Sequence, residues 1–509
     1  MSVGQPTRRW ARPERFVCLG AAFAFLLLYA LTLAPTVQSG DAASFQARAM
    51  RPGFAFHARG YPIYTLLIKA FVHLPMGDVA YRVNLLSAVW AAVALWTMCG
   101  LVFSLTNSRT GAAFAAVALG LSHMFWAHAV RAEVWTMQVS LMLGLMWALT
   151  SWAPGRPRPL YAFSALLPAA LFHHRMTLIS LPVFAWFVLA NRAQLRKHPR
   201  HALGAAALGL AVVCGLFAWG YFGEWHRQTL RDAAMRWLMM DPKFAPSPQI
   251  SPRILAYDAA SVAAIFGYSL FGPALLLGVV GLVRAKAIVG AQNARFLLLM
   301  LLVNLGFAAL YSVGPDKPLT YYVPAVAVWV VLAGVGMARL ERGWSTTTRL
   351  AVVIAQAGLL VLLYSLAPMW IAAGVQRLMP KRSVEEIRYW ATPWAQSERQ
   401  FRQRGEALLR ALPRKAVLLA DWGTYGTLDY LRSVDGLRGD VSLLLAGSGQ
   451  DAQWQQALAR GDRRTLVMRS LCDRYKPPRC KCTRRGEVCE IKCAGPAAER
   501  NSDAAGGPL

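Results

Sequence analysis

Long apolar runs recur along most of the chain and are separated by short polar segments. Most of these runs are long enough to cross roughly 30 Å of hydrocarbon as a helix, and about eleven are predicted to be spans. The runs at 160–172 and 176–190 are short, so a re-entrant pair is the alternative there. The predicted spans are Phe16–Leu33, Val83–Leu105, Gly111–Trp126, Trp135–Trp152, Leu160–Phe172, Met176–Ala190, Ala202–Tyr221, Ala259–Val283, Leu297–Tyr311, Tyr321–Met337 and Val352–Ile371. Charged residues make up only 16% of the 509 residues, against about 25% in soluble proteins. The sequence therefore predicts a mainly α fold, a polytopic transmembrane helical bundle.

The net charge of +29 is distributed as the positive-inside rule expects. Arginines precede the first span, and the most basic internal loop lies between residues 192 and 200. The first run is too long for the core of a cleaved signal peptide, so we expect it to be retained. We predict a multi-pass protein of the bacterial inner (cytoplasmic) membrane, with residues 1–15 cytoplasmic and the C-terminal domain periplasmic. The lipid bilayer is an expected partner, and nucleic acid is not.

The composition divides the chain into a membrane part and a polar part. We assign residues 16–373 to the transmembrane domain, with a first outer loop at about 35–80. Residues 374–495 read as a small periplasmic α/β domain, because Val384–Leu412 has helical spacing and Ala416–Ala420 and Val441–Leu445 resemble short strands. Residues 496–509 are predicted to be a disordered tail.

Cysteines are concentrated at the end of the predicted periplasmic domain, which fits an oxidising compartment. The disulfide candidates are Cys472, Cys480, Cys482, Cys489 and Cys493. Their odd number leaves one thiol over, or paired elsewhere. A zinc site is the alternative, although the segment has no paired CxxC and no histidine. Cys18, Cys99 and Cys214 lie in predicted spans, where we expect them to behave as small hydrophobic residues.

The first outer loop combines a carboxylate with several cations beside the mouth of a span. Asp41 is the first acidic residue after the first span, and a helix-like run, AASFQARAM at 42–50, follows it. A cationic turn with His57 and Arg59 then precedes Tyr61. This concentration of polarity indicates the active-site loop of a membrane enzyme. The alternative is that Asp41 caps a helix that begins at Ala42, a common role for aspartate.

Several short motifs resemble a known family. They are LAPTV at 33–37, GD at 40–41, GYPIY at 60–64, RVNLLSA at 82–88, FW at 125–126 and AEVW at 132–135. Weaker C-terminal landmarks are Asp316, YVP at 322–324, Asp421, DYL at 429–431 and GDV at 439–441. Together these motifs resemble the protein O-mannosyltransferase-like family of GT-C membrane glycosyltransferases. The similarity covers most of the membrane part and is most specific in the first 140 residues.

The resemblance implies an enzyme that transfers a sugar, with mannose as one candidate, from a polyprenyl-phosphate-linked donor to a hydroxyl at the outer face. The acceptor is a protein Ser or Thr, a glycan or a lipid. Asp41 occupies the place of the family's catalytic base. Ser44 stands where the family usually has a second acid, and Ala58-Arg59 stands where it usually has two prolines. No cofactor besides the lipid-linked donor is implied with certainty, and the use of a divalent metal stays open.

A lipid phosphate leaves as a stabilised anion, so one base and fixed positive charge suffice for transfer, with inversion at the anomeric carbon. The cations predicted for this role are Arg59, Arg82, Arg131, His174 and Arg175, and the other predicted substrate-binding residues are His57, Tyr61, Glu133 and Asp316. Each has a second interpretation. Arg59 and Arg82 could extend to lipid headgroups. Glu133 could begin a helix or pair with Arg131, His174 could be interfacial, and Asp316 could pair with Lys317.

Two other functions are compatible with such a chain. A transporter or flippase of lipid-linked saccharide would need ionisable residues within its spans and broken helices. A non-catalytic family member acting in envelope assembly is favoured by Ser44, because the family's usual second acid is missing there.

Overall fold

The computed structural model describes residues 12–54, 61–153, 156–225, 229, 231–232, 252–311, 319–378, 384–447, 450–460, 463–477 and 480–493. The chain forms two compact units. The helical unit comprises Met1–Leu33, Gly53–Phe71 and Asn84–Gln396. The sheet unit comprises Ala34–Pro52, Val72–Val83 and Ser397–Leu509. Residues 1–11 of the predicted basic N-terminus and the predicted disordered tail lie outside the described residues.

Most of the described residues are helical. The α-helices are Arg12–Leu31, Gly40–Arg48, Pro62–Phe71, Val79–Thr106, Arg109–Gly120, His123–Ala129, Trp135–Ser151, Arg158–His173, Thr177–Ala190, Arg192–Lys197, Pro199–Gly220, Pro252–Ser269, Pro273–Tyr311, Val323–Leu340, Thr346–Leu378, Val384–Ala391, Gln400–Ala411, Trp422–Ser433, Asp451–Arg460 and Cys472–Tyr475. A π-helical turn covers Tyr221–Trp225, and 3-10 turns cover Leu319–Tyr322, Glu341–Gly343 and Arg469–Leu471. The mainly α class predicted from the sequence is confirmed.

Within the described residues, five helices are long and apolar enough to cross a membrane. They are Val79–Thr106, Pro199–Gly223, Pro273–Leu310, Leu319–Gly343 and Thr346–Trp370. The bent pair Arg109–Gly120 and His123–Ala129 makes a sixth if it counts as one span. A multi-pass membrane protein is therefore supported, whereas the count of eleven spans stays a prediction.

Three segments predicted to be continuous helices are broken, two of them at a glycine or a proline. The span Gly111–Trp126 bends by 68° between residues 120 and 123. The span Ala259–Val283 is interrupted after Ser269, where Gly272 takes a φ of +108° that favours glycine. Val384–Leu412 ends its first helix at Ala391, because Pro393 cannot continue the helical hydrogen bonds.

The helix Pro273–Tyr311 is too long for one straight crossing. Its 39 residues would extend about 58 Å, nearly twice the roughly 30 Å of hydrocarbon. Gly290 divides it, with a φ of +83° in the middle of the basic stretch 284–295. The helix packs very closely on Val323–Leu340, since a Cβ on Gly281 would lie 1.8 Å from the carbonyl oxygen of Leu332. Small residues allow this close approach of two membrane helices.

Two cysteines of the predicted spans are joined. Cys18 and Cys99 form a disulfide with their Cα atoms 5.8 Å apart, a spacing that a disulfide accommodates. The prediction that both behave as isolated small hydrophobic residues is therefore wrong. Their sequence separation of 81 hid the pairing, because only the packing of the first helix against Val79–Thr106 brings them together.

The sheet unit contains a five-stranded mixed sheet. Its strands are β1 Val417–Ala420, β2 Ser442–Leu445, β3 Thr465–Met468, β4 Cys480–Arg485 and β5 Val488–Cys493. Their spatial order is β2-β1-β3-β5-β4, with β1 parallel to β2 and β3, and β5 antiparallel to β3 and β4. The two strands predicted from the sequence are confirmed to within a residue.

Apolar residues on both sides of Asp41 belong to the core of the sheet unit. Val37, Ala43 and Ala47 are fully buried in one hydrophobic cluster with Leu428 and Tyr430. The helix Gly40–Arg48, which we call the Asp41 helix, thereby packs on the helix Trp422–Ser433, which we call the Trp422 helix. The apolar positions of the first outer loop and of the C-terminal segment thus share one core.

Candidate active site

The Asp41 helix places a carboxylate at its exposed start. The helix begins at Gly40, whose φ of +60° favours glycine, and Ser39 occupies the cap position without a side-chain capping bond. Asp41 lies in the first turn and is exposed to solvent. Asp41 is therefore not the cap of a helix that begins at Ala42. The positive end of the helix dipole favours the ionised form of a carboxylate at this position.

Backbone contacts hold the entry to the Asp41 helix. The Gln38 N–H donates to Oε1 of buried Gln46 at 3.0 Å, and the Thr427 hydroxyl donates to the Gln38 carbonyl at 2.6 Å. Gly426 lets the two helices approach closely, since a Cβ there would lie 2.9 Å from Cβ of Ala43. The position of Asp41 is thus fixed by residues about 390 positions later in the chain.

An ion pair between an exposed arginine and a buried aspartate follows the Asp41 helix. Arg51 donates to Asp429 on the Trp422 helix, and the Asp429 side chain is only 4% exposed. Burial raises the pKa of the Asp429 carboxyl, and the Arg51 charge acts in the opposite direction. The Arg51 charge therefore partly offsets the effect of burial on the Asp429 pKa.

Arg402 connects three parts of the sheet unit. Its guanidinium donates to Thr36 Oγ1 at 2.9 Å, Asp435 Oδ2 at 2.5 Å and Glu406 Oε1 at 2.9 Å, and lies 3.4 Å from Asp78 Oδ2. Burial lowers the Arg402 pKa, but the surrounding carboxylates raise it overall. These contacts tie the segments before and after the Asp41 helix to the C-terminal helices.

Trp422 is a site residue that the sequence did not single out. It is 50% exposed although it is a large aromatic residue. A Cβ on Gly40 would lie 3.9 Å from its Nε1 atom, so the indole stands beside the start of the Asp41 helix. Asp421 caps the Trp422 helix by accepting from the Thr424 N–H at 2.9 Å. The available signal was the landmark Asp421, which immediately precedes this residue.

Arg82, a predicted phosphate ligand, is used within its own segment. It donates to the carbonyl oxygens of Val72 at 2.6 Å, Met76 at 2.8 Å and Gly77 at 3.0 Å. These bonds stabilise the turn before the helix Val79–Thr106. A role for Arg82 in donor binding stays a prediction.

In the helical unit, His174 offers a buried donor. The Met176 N–H donates to its Nδ1 at 3.0 Å, so a neutral His174 carries its proton on Nε2. Nε2 is buried and has no hydrogen-bond partner among the described residues. The rings of Tyr61 and Trp135 surround it, with centroids 5.3 and 4.9 Å away. An acceptor atom of a ligand would satisfy this N–H.

Hydrogen bonds among neighbouring residues hold the segments around His174 in place. His173 Nε2 lies 3.1 Å from the Val134 carbonyl, and its Nδ1 is buried with no hydrogen-bond partner among the described residues. The Ser87 hydroxyl lies 2.8 Å from Tyr64 Oη and 3.0 Å from both the backbone N and the backbone O of Glu133. Three predicted site residues, Tyr61, Glu133 and His174, thereby come from three separate segments to one neighbourhood. Trp135 is the residue that sequence reasoning missed here.

Arg131 is a buried cation in the helical unit. It is 7% exposed, stacks on the Tyr389 ring at 4.3 Å, and donates at 3.3 Å to the carbonyl oxygens of Ala127 and Tyr389. Its Nε has no hydrogen-bond partner in the described part of the chain. No carboxylate among the described residues pairs with Arg131, so the predicted alternative of a pair with Glu133 is wrong. An anionic ligand would supply the missing charge.

Some of the remaining predicted residues are described by the structure, and others lie outside the described residues. Tyr61 has a φ of +50°, which is rare for an aromatic residue and typical of functional sites. Arg175 is half-buried directly after His174. His57, Arg59 and Asp316 lie outside the described residues, as does the side chain of Cys493. Cys480 is in a disulfide, while Cys472, Cys482 and Cys489 are thiols.

Known proteins resemble the chain in both sequence and fold. Residues 41–197 match the family model described as the protein O-mannosyl-transferase TMEM260 N-terminal domain. Protein O-mannosyl-transferase TMEM260 from Mus musculus is 38% identical over 124 residues, which is 24% of this chain. The aligned region spans only 17% of that mouse protein's length.

Solved structures share the architecture. The apo crystal structure of ArnT from Cupriavidus metallidurans gives a TM-score of 0.63 at 14% identity, covering 94% of this chain and 98% of that one. The crystal structure of the same protein bound to undecaprenyl phosphate gives 0.58 at 12% identity, covering 95% and 98%.

The chain therefore has the GT-C fold of membrane glycosyltransferases. Within that class, its segment from Asp41 to Lys197 is similar to the N-terminal domain of protein O-mannosyl-transferase TMEM260. The resemblance predicted from the sequence is confirmed.

Proposed function

We propose that the protein is a membrane glycosyltransferase that moves a sugar from a polyprenyl-phosphate-linked donor to an acceptor hydroxyl. The observation that carries this proposal is the O-mannosyl-transferase match over residues 41–197. That segment begins at the predicted base and includes Arg131, Glu133, His174 and Arg175. The match supports mannose as the first sugar to test. The undecaprenyl phosphate bound by ArnT supports a polyprenyl-phosphate donor here.

Asp41 acts as the general base in this proposal. An exposed carboxylate in the first turn of a packed helix can reach an acceptor hydroxyl and take its proton as the oxygen attacks the anomeric carbon. The contacts of Gln38, Arg51 and Arg402 orient the helix that carries it. Attack from the face opposite the leaving phosphate inverts the anomeric configuration.

Arg131 and His174 bind the donor phosphate, with Arg175 as a further cation. A buried guanidinium with no carboxylate partner among the described residues and a buried N–H donor both favour an anionic ligand. Their positive charge and hydrogen bonds stabilise the lipid phosphate as the glycosidic bond breaks. Tyr61 and Trp135 pack around His174 and limit the access of water.

One carboxylate is sufficient for this reaction. Glycosidases need a second carboxyl group because an alkoxide is a poor leaving group, whereas a phosphate leaves as an anion. Ser44, which stands at the position of the family's usual second acid, is consistent with a single carboxylate. Its hydroxyl donates to the Gly40 carbonyl at 3.0 Å within the helix. The exposed Trp422 contacts the acceptor in this proposal, whether a protein Ser or Thr, a glycan or a lipid.

The proposed setting follows from the basic loops of the sequence. Transfer takes place at the periplasmic face of the bacterial inner membrane, where the sheet unit presents the acceptor. The proposed topology has about eleven spans and a cytoplasmic N-terminus. Use of a divalent metal is left to experiment.

The test is sugar transfer by purified protein with a panel of polyprenyl-phosphate sugars. Asp41→Asn should lower transfer about 10²–10⁴-fold, the range of general-base catalysis. Asp473→Asn removes an exposed carboxylate of the same unit and should leave transfer unchanged. Equal transfer by Asp41→Asn and wild type would remove Asp41 from the mechanism. No transfer with any donor would favour a non-catalytic role.

A second candidate function is movement of lipid-linked saccharide across the bilayer. The observation that favours it is the bend of 68° between Arg109–Gly120 and His123–Ala129, since transporters use broken helices beside buried ionisable groups. Translocation of a labelled lipid-linked sugar in reconstituted vesicles separates the two functions. Translocation without transfer to any acceptor would favour the transporter.

A further inference from the structure

Three cysteine sulfurs converge in the sheet unit. Cys472 begins the short helix Cys472–Tyr475, Cys482 lies on β4 and Cys489 lies on β5. Their Sγ atoms all lie within 4.8 Å of one another, and those of Cys472 and Cys482 are 2.7 Å apart. Cys472 and Cys489 are buried and Cys482 is half-buried. Within the described part of the chain, this is the only group of three or more potential metal ligands at such spacing.

The sheet topology itself creates the cluster. Cys482 pairs with Ile491 across the β4–β5 ladder, and Cys489 is two residues from Ile491 on the same strand. Because side chains alternate along a strand, Cys482 and Cys489 point to the same face of the hairpin. The strand β3 is the other neighbour of β5, and Cys472 reaches the same face from the turn that follows β3. Three elements thus direct one thiol each to a common point.

We propose that Cys472, Cys482 and Cys489 bind one thiophilic metal ion, with Zn²⁺ as the best match. Thiolates select Zn²⁺ among the common divalent ions, and three protein ligands with an open fourth position are an established zinc arrangement. Three thiolates and Zn²⁺ carry one net negative charge. Arg484 lies opposite Cys489 in the ladder, on the same face as both strand cysteines, and offsets that charge.

The geometry requires only a small adjustment. Zn–S bonds of about 2.3 Å at tetrahedral angles place sulfurs about 3.8 Å apart. The Cys472 and Cys482 sulfurs must therefore separate by about 1 Å. Cys482 lies on the edge strand β4 and is half-buried, so its side chain has room to move.

The competing arrangement is a Cys472–Cys482 disulfide. It would bring the two sulfurs from 2.7 Å to about 2.05 Å and needs an oxidant to accept two electrons and two protons. It would also leave the Cys489 thiol buried against the new bond. Only a metal ion uses all three sulfurs, and this preference is independent of the glycosyltransferase activity proposed above.

The test uses the full chain in detergent, reduced and stripped of metal, and titrated with Co²⁺ as a spectroscopic probe. The expected result is one ion per chain with a strong sulfur-to-cobalt charge-transfer absorption that Zn²⁺ removes. Cys489→Ser should lose the absorption. Cys214→Ser, which changes an exposed cysteine of the helical unit, should keep it. The absence of the absorption in the wild type, or its persistence in Cys489→Ser, would overturn the proposal.

Alkylation of the wild-type protein gives a readout that does not depend on a variant folding. Peptide mapping should find that Zn²⁺ protects Cys472, Cys482 and Cys489 from alkylation while Cys214 reacts. A non-reduced peptide that links Cys472 to Cys482 in protein without bound metal would establish the disulfide instead and overturn the proposal.

Discussion

The two units of the molecule differ in how their charged side chains are paired. In the sheet unit, Arg51 pairs with Asp429, and Arg402 pairs with Asp435 at 2.5 Å. In the helical unit, the contacts of Arg131 with the described residues are to carbonyl groups and an aromatic ring. His173 and His174 likewise each leave a buried ring nitrogen without a hydrogen-bond partner among the described residues.

This difference distinguishes charges that hold the structure together from a charge that is available to bind a ligand. A charge paired inside the protein fixes the relative positions of the segments that carry the pair. A buried cation in a membrane protein is costly and indicates a functional site when no carboxylate accompanies it. We infer that the paired charges of the sheet unit orient Asp41, and that Arg131, which has no carboxylate partner among the described residues, receives the donor phosphate.

Arg131→Met removes the proposed phosphate cation while keeping an unbranched side chain of similar reach. We expect kcat/KM for the donor to fall about 30-fold or more, because loss of a buried charged contact costs about 2–5 kcal/mol. Steady-state transfer at varied donor concentration measures this. Arg158→Met changes an exposed arginine of the same unit and serves as the control. Wild-type donor kinetics in Arg131→Met would show that the buried cation does not serve the donor.

Arg51→Met tests the contribution of the Arg51–Asp429 ion pair to stability rather than to sugar transfer. It leaves Asp429, which is 4% exposed, without its ion-pair partner and with Arg432 as the remaining positive neighbour, and we expect a loss of about 3 kcal/mol in the free energy of unfolding. Asp429→Asn should cost only about 1 kcal/mol, because the Arg51 side chain is 45% exposed and can be rehydrated. Chemical unfolding of the detergent-solubilised protein measures both. Equal losses would contradict the asymmetric burial of the pair.

The same pair predicts a pH dependence. Burial raises the folded-state pKa of Asp429 above its ordinary value, and Arg51 limits that rise. A carboxyl with a raised pKa holds its proton more tightly in the folded protein, so its contribution to stability is lost as pH rises through that pKa. Removing Arg51 raises the pKa further. The stability gap between wild type and Arg51→Met should therefore widen from about pH 4 to pH 7. A constant gap would contradict the assignment.

Ser44→Ala should have almost no effect on transfer. Among the described residues, the hydroxyl donates to the Gly40 carbonyl one turn earlier in the same helix, a local bond of little energetic consequence. We expect kcat/KM within about twofold of wild type, measured in the assay used for Asp41→Asn. A fall of the size seen with Asp41→Asn would assign Ser44 a direct part in the reaction.

Hydropathy and short motifs predicted the helical class, the small sheet domain and the family resemblance. The breaks were less predictable. Pro393 gives a clear signal inside Val384–Leu412, whereas the bend after Gly120 depends on how the spans pack. The Cys18–Cys99 disulfide was missed for the same reason, since hydropathy assigns residues to spans without saying which spans touch.

The candidate site was predicted only in part. Asp41, Arg131 and His174 stand out as polar residues near the ends of apolar runs. Their partners do not, because Gln38 meets Thr427 only through the tertiary fold, at a separation of 389 residues. Trp422 reads as an ordinary aromatic residue until its exposure beside Gly40 is known.

The most direct test measures polyprenyl-phosphate binding and sugar transfer in the same three proteins: wild type, Asp41→Asn and Arg131→Met. If Asp41 is the base and Arg131 binds the phosphate, Asp41→Asn should bind the lipid phosphate as tightly as wild type but should not transfer sugar. Arg131→Met should lose both binding and transfer. Wild-type transfer by Asp41→Asn, or lipid binding by Arg131→Met as tight as that of wild type, would contradict these two roles.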